Sequence, residues 1–228
     1  MQVASCTFQR HANDSPQTLR DGTFHFYHTK NDINVFKTST QVSGEPSIVR
    51  GEGVCENLKA HDFMKVYLGV NTEMDPTVKR NDIVHEWSDD EGHWKLNYFV
   101  MGIGPMVADR DFIRVYRIIE NPEQNELVYT STSVDQDSCP ETNIHSFLPS
   151  NFKFHSGAVR GNDMFTTLRL SQCANGDLRM SYAHQSNPNG WVPLSIVNAA
   201  ILTVPQALCK TAKALRATLK HLRVDDEL

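Results

Sequence analysis

Arg114 stands in RDFIRVYR (110–117), where Phe112, Arg114 and Tyr116 occupy alternate positions and Asp111, Ile113, Val115 and Arg117 fill the positions between. A run so rich in β-branched and aromatic residues predicts a strand. On a strand, alternate side chains share a face. HWKLNYFVM (93–101) repeats the pattern, with Lys95, Asn97, Phe99 and Met101 on one face. A guanidinium, an amide and a phenol among apolar side chains are the mixture of an ordinary ligand pocket, apolar with a few placed polar groups. A guanidinium binds phosphate or carboxylate through two parallel N–H bonds. Such an arginine on a strand either contacts an anionic group, lies solvated, or pairs with an acid.

Other chemistries lack their residues. There is no GxSxG, Walker loop, HExxH or GxGxxG, and Gly102-Ile103-Gly104 has no third glycine after it. His25 and His28 are three apart on strand-like sequence and point to opposite faces; the other eight histidines are dispersed. His155 and His184 either face a cavity or make ordinary hydrogen bonds. The five cysteines, Cys6, Cys55, Cys139, Cys173 and Cys209, have no metal-ligand spacing and read as reduced thiols. No metal and no cofactor is expected. A net charge of −5 argues against nucleic acid as partner.

The elements that must position these residues are legible in outline. With 228 residues, 39% of them hydrophobic and 21% charged, the chain fits one folded domain. Residues 1–20 read as a polar lead-in, 21–224 as the domain and 225–228 as an acidic tail. No apolar signal region is present at the start, and no run is expected to approach a membrane-spanning length. TFHFYH, INVFKTS and SIVRGEGVC predict three strands, with a turn at Asn31-Asp32. ENLKAHDFMKVYLG has Leu58, Phe63, Val66 and Tyr67 at helical spacing. HWKLNYFVMG, RDFIRVYRII, ELVYTSTSV, FKFHSGAVRG, MFTTLRLSQC and LRMSYAHQ predict six more strands, with a hairpin at Asn175-Gly176. From Leu194 to about Arg223 a single long helix is expected, bent at Pro205. It is apolar nearly all round before the proline and striped after it. The first half should therefore be covered on all sides and the second half left half-exposed.

Four segments resemble START (steroidogenic acute regulatory protein related lipid transfer) domains, in that family's order: MDPTVK (74–79), ADRDFIRVYR (108–117), GAVRGNDMFTTLRL (157–170) and NGWVPLSIVNAAI (189–201). Val204-Pro205 resembles the mid-helix proline of phosphatidylcholine-transfer-like members. The resemblance implies an α+β helix-grip fold: a curved antiparallel β-sheet wrapped around a long C-terminal α-helix, with an internal hydrophobic cavity. It turns Lys95, Asn97, Phe99, Met101, Phe112, Arg114 and Tyr116 toward that cavity, with Val197 and Ile201 from the helix as further ligand contacts. Arg114, Asn97 and Tyr116 would then meet a polar head group, unless Arg114 lies solvated at the mouth or paired with an acid. The Gly102–Asp109 loop would meet the helix at the mouth, where Ile103, Met106 and Val107 either touch membrane or pack as an Ω-loop. Arg110 and Asp111 are expected to form a structural ion pair at the strand start, Arg160 to be structural or cavity-lining, and Trp191 to pack the start of the closing helix. Met101, Met106 and Met164 read as filler. Met74 and Asn189 depart from the family's Trp and Lys, and Tyr116 stands where some sterol and phosphatidylcholine binders have Arg. Asn97 stands where sterol carriers have a buried acid, so the buried charged pair is expected to be missing. The implied function is a non-enzymatic carrier of one phospholipid or related amphiphile, cytoplasmic, with transient membrane contact and no obligate protein partner. The alternatives are a hydrolase- or cyclase-like enzyme on the same fold, or a lipid-sensing module.

Overall fold

In the computed structural model of the protein, which describes residues 24–38, 45–104, 107–134 and 144–225, one ten-stranded sheet forms the body. Its strands are β1 (Phe24–Lys30), β2 (Ile33–Thr38), β3 (Val49–Cys55), β4 (Val78–Asp89), β5 (Gly92–Met101), β6 (Arg110–Asn121), β7 (Glu126–Ser133), β8 (Val159–Arg160), β9 (Asn162–Gln172) and β10 (Leu178–Asn187). Their order is β1-β2-β3-β10-β9-β7-β6-β5-β4, all antiparallel, with β8 added in parallel beside the start of β6. Three helices complete the domain: α1 (Ala60–Leu68), α2 (Leu194–Ile201) and α3 (Gln206–Asp225).

Local chemistry places the turns. Asn31 and Asp32 adopt left-handed φ angles of 50° and 63°, the geometry of a two-residue hairpin between Lys30 and Ile33. Gly176, at φ 88°, turns β9 into β10. No side chain of its own caps α1 at Lys59; instead Gln172 on β9 accepts from the Ala60 amide at 3.1 Å and donates to the Leu58 carbonyl at 3.1 Å. One sheet residue thus pins the helix start.

Two apolar layers follow from the period-2 alternation. On one face Ile33, Val35, Leu168, Leu170 and Met180 pack with Phe63 and Met64 of α1 and Leu208, Ala212 and Leu215 of α3. On the other face Trp94, Leu96, Tyr98, Ile113 and Val115 are covered by Phe147, Leu148 and Phe152. Most of FKFHSGAVRG is therefore not a strand, contrary to expectation: only Val159 and Arg160 pair. The earlier part is a cover, in which Phe152 and Phe154 lie edge-on to Tyr98. β4 was not expected at all, because its sequence is polar; it is an edge strand with two register shifts against β5.

The closing segment also differs from expectation. It is two helices, interrupted over Leu202–Pro205, and the coverage is reversed. In α2 only Val197 and Ile201 are buried and Ile196 is 53% exposed, whereas α3 carries the buried stripe. Residues 194–219 are, by length and composition, sufficient to cross a membrane, which corrects the expectation that no run approaches that length; α3 spends its apolar face on the sheet.

Pro205 seats the break. It lies against Gly51 of β3, where an added Cβ would stand 2.5 Å from Pro205 Cβ. Gly51→Ala is expected to push the junction off the sheet, destabilising the fold by about 1–3 kcal/mol. Denaturant unfolding measures the loss, and amide exchange should quicken in 200–208 and not in β5–β6.

Candidate functional site

Beneath α2 and the start of α3 the sheet lines a partly open cavity of about 380 Å³. The residues singled out in β5 and β6 line it: Asn97, Phe99 and Met101 with Phe112, Arg114 and Tyr116, joined by Val197 and Ile201 from α2. Ile103 lies at its edge and Val107, 36% exposed, does not line it. Met106 lies outside the described residues. Lys95 does not line it either; it pairs with Glu86 on the edge strand at 3.2 Å.

Strand register assembles a polar belt along one side of the cavity. Asn97 pairs with Arg114 across β5–β6, and Thr166 with His184 across β9–β10. The Asn97 amide donates to Asn81 Oδ1 at 2.9 Å and to the Asp82 carbonyl, and Asn81 in turn donates to the carbonyls of Leu68, at the end of α1, and Val70 just after it. That fixes Asn97 Oδ1 as an acceptor for Arg114 Nη2 at 2.7 Å and Nε at 3.3 Å. The guanidinium lies 4.3 Å from the centre of the Phe99 ring, and its Nη1 stands 3.7 Å from Asp163 Oδ2. Asp163 is 2% exposed and accepts from Thr166 Oγ1. Because a hydroxyl carries one proton, Thr166 then accepts at 2.8 Å from His184 Nδ1, and His184 Nε2 accepts from Ser186 Oγ at 3.0 Å. A buried charged pair is therefore present, correcting the expectation drawn from Asn97. The acid comes from β9 and not from β5.

Sequence reasoning missed Asp163, Thr166 and Ser186. Asp163 precedes the apolar run of its strand and looked like a loop residue. Tyr182, His184 and Ser186 share one face by alternation, a signal that was available.

The adjacent Arg110 and Asp111 do not pair with each other, which corrects that expectation; successive strand residues point to opposite faces. Arg110, 3% exposed, donates from Nε to the Pro188 carbonyl at 2.7 Å and from Nη2 to the Asn189 carbonyl at 3.2 Å. Asp111 takes both bonds of the Arg160 guanidinium at 2.9 Å and one from the Tyr98 hydroxyl at 2.8 Å. Burial pushes the Asp111 carboxyl up, but the Arg160 and Tyr98 hydrogen bonds and the Arg160 charge bring it below its ordinary value. Trp191, expected to pack, is 96% exposed. Across the mouth, Lys210 of α3 pairs with Asp75 of the MDPTVK turn at 2.5 Å.

A partly open, largely apolar cavity with a hydrogen-bonding flank and a helical cover has the features of a ligand-binding domain. The START domain family model matches residues 54–224, and the chain belongs to that family. It is similar to human STARD10, with a TM-score of 0.72 at 14% identity, covering 94% of this chain and 83% of that one. It is similar also to human StAR-related lipid transfer protein 5, with a TM-score of 0.70 at 16% identity, covering 98% and 100%. A third likeness is to the human StarD13 (DLC2) lipid transfer and protein localization domain, with a TM-score of 0.65 at 11% identity, covering 91% and 95%. No curated protein sequence matches the chain. The helix-grip architecture is thus established, and with it lipid binding in general.

Burial holds the His184 imidazole below its ordinary value, and the Asp163 charge only partly restores it. The unfolded chain therefore takes up this proton near pH 6.5, while the folded chain resists it until lower pH. Stability is fully present above about pH 6.5 and falls as the pH drops through the window beneath it. Asp111 acts in the same direction but below the ordinary aspartate range of about 3.9. His184→Gln should flatten the loss between about pH 7.5 and about pH 5.5 in urea unfolding. An unchanged slope would place the acid sensitivity elsewhere.

Proposed function

We propose that this domain holds one membrane-derived amphiphile in the cavity and carries it between bilayers without covalent chemistry. The observation that carries the reading is the arrangement of the cover. α2 has Val197 and Ile201 inside and an apolar outer surface, with Trp191 and Ile196 exposed beside the mouth. An acyl chain of about sixteen carbons loses about 13 kcal/mol of favourable burial on entering water, at ~0.8 kcal/mol per CH₂. A cover that meets the bilayer while the lipid passes into the cavity avoids that exposure. Tryptophan suits the interface because its ring is apolar and its N–H is polar. The ligand contacts are Asn97, Phe99, Met101, Phe112, Arg114, Tyr116, Val197 and Ile201. Ile103 and Val107, with Trp191, form the membrane-facing rim. The partners in this reading are the lipid and, transiently, the bilayer.

A second reading has one specific observation behind it. Ser186 Oγ lies 3.0 Å from His184 Nε2, and the far ring nitrogen connects through Thr166 to Asp163. A serine, a base and an orienting acid are the parts of a hydrolase. Here, however, the direct His184–Asp163 separation is 3.5 Å and the threonine hydroxyl intervenes. Burial also makes the imidazolium that such a mechanism needs unfavourable.

Native mass spectrometry of protein purified from cells tests the carrier. A bound lipid near one per chain is expected, and an apo mass that persists after incubation with mixed-lipid vesicles would sink it. Trp191→Ser should slow vesicle-to-vesicle transfer several-fold while occupancy and melting temperature stay unchanged, since the ring buries almost nothing in the folded chain. Fatty acid released from 1-monopalmitoylglycerol by the wild type but not by Ser186→Ala would establish the hydrolase instead; no release is expected.

A further inference from the structure

Opposite α2, the other side of the mouth is the turn over 69–77 between α1 and β4, and this turn is loosely held. None of its residues is buried, whereas Phe63 and Met64 before it and Val78 after it are. Its side-chain bonds are mostly local: Asn71 Oδ1 accepts from the Glu73 and Met74 amides, and Asp75 Oδ1 from the Thr77 amide and hydroxyl. Its two ends are fixed. At the first, Asn81 donates to the Leu68 and Val70 carbonyls; at the last, the Gly102 amide donates to the Thr77 carbonyl at 2.7 Å. Between those ends, among the described residues, one hydrogen bond ties the turn to a distant element: Lys210 Nζ of α3 donates to Asp75 Oδ2.

The two partners differ in mobility and in reach. α3 is held in the principal core by Leu208, Ala212 and Leu215, so Lys210 stands on a fixed support. Asp75 stands on a segment whose opening loses few apolar contacts, yet Val70, Met74 and Thr77 of that segment line the cavity. Burial pushes the Asp75 carboxyl up, but its bonds from Lys210 and Thr77 bring it below its ordinary value. The Lys210 side chain is 51% exposed and that of Asp75 14%, so the ammonium is the partner that an outside anion can reach. An exposed ion pair is worth little, and a lysine at an anionic bilayer gains a comparable amount, so one partner replaces the other at small net cost. The same surface repels the turn, whose charged residues, Glu73 and Asp75, are both acidic.

We infer that the 69–77 turn is a gate of the cavity, latched to α3 by the Lys210–Asp75 pair and released by an anionic bilayer whose phosphate and carboxylate groups take Lys210 from Asp75. The inference rests on the carrier reading, in which the mouth meets a membrane. Lys213, exposed on the next turn of α3, adds to the attraction. The chain as a whole carries a net charge of −5, so it is not drawn to an anionic surface at long range. Faster opening there must come from local cations.

Amide hydrogen exchange of the full chain tests the latch. It is followed alone, with phosphatidylcholine vesicles, with vesicles about one-third phosphatidylserine, and with inorganic phosphate in place of vesicles. The amides of 69–77 and of Gly102 should exchange about threefold faster with the phosphatidylserine vesicles only, while 208–215 stays protected throughout. Lys210→Gln, at a half-exposed position that leaves the core intact, should show the faster rate with nothing added and no further response to vesicles. Lys210→Arg should behave as the wild type. Equal exchange of the turn in the wild type and Lys210→Gln, or a full vesicle response in Lys210→Gln, would overturn the latch. Quickening by inorganic phosphate alone would overturn the bilayer as the releasing partner. The carrier reading fails separately, since the exchange of the turn needs no cargo. Protection of 191–200 by the phosphatidylserine vesicles with an unmoved turn would sink the gate and leave the membrane contact standing. No protection of 191–200 by either vesicle would remove contact and gate together.

Discussion

Two neighbouring charges that face opposite ways hold this domain shut. Arg110 reaches the carbonyls of Pro188 and Asn189, where the chain leaves the last strand for the closing helices. Asp111 reaches Arg160 and Tyr98 on the other side of the same strand. These bonds join separate strands and loops, and Arg110 and Asp111 are themselves buried, 3% and 4% exposed, so water replaces them poorly. The path of the chain into α2, the position of β8 and the fit of the Phe152–Phe154 cover all depend on them. Without this junction the sheet would have no fixed place to lay its cover.

Behind the junction the interior follows a rule of pairing. Arg114 has an amide, an aromatic face and an acid around it, and none of the three is near it in sequence. The deeper phenols, Tyr67, Tyr129 and Tyr182, are raised by burial and stay protonated. The cavity is therefore polar on one side, where Arg114 and Asp163 lie together, which distinguishes it from an oil-filled pore.

Much of this was readable from residue order. Alternation in β5 and β6 placed Asn97 and Arg114 on one face, and Asn31-Asp32 and Asn175-Gly176 marked their hairpins, because in these cases the signal is local. β4 escaped because an edge strand needs no apolar face. The reversed coverage of α2 and α3 escaped because apolarity says that a surface must be covered and not by what; the outer face of α2 is apolar yet bare. Asp163 escaped because its partner is set by the register of strands far apart in the chain, which no periodicity encodes. The four segments resembling the START family fared best as an ordered set. The structure supplies their physical reason, since three of them meet at the Arg110–Asp111 junction.

The interruption at Leu202–Pro205 separates two demands that one unbroken rod would join. α3 is bound into the principal core through Leu208, Ala212 and Leu215, so its detachment is bound up with global unfolding. α2 is retained by Val197, Ile201 and one bond from the Ser47 amide to Asn198 at 2.9 Å. Opening of the short helix therefore draws on a local free energy far smaller than that of the whole domain. How robust the protein is and how fast it exchanges its contents are then two separately adjustable properties. Substitutions at the exposed positions of α2, such as Ile196, tune the second while leaving heat resistance nearly untouched, whereas Ile201 belongs to the principal core.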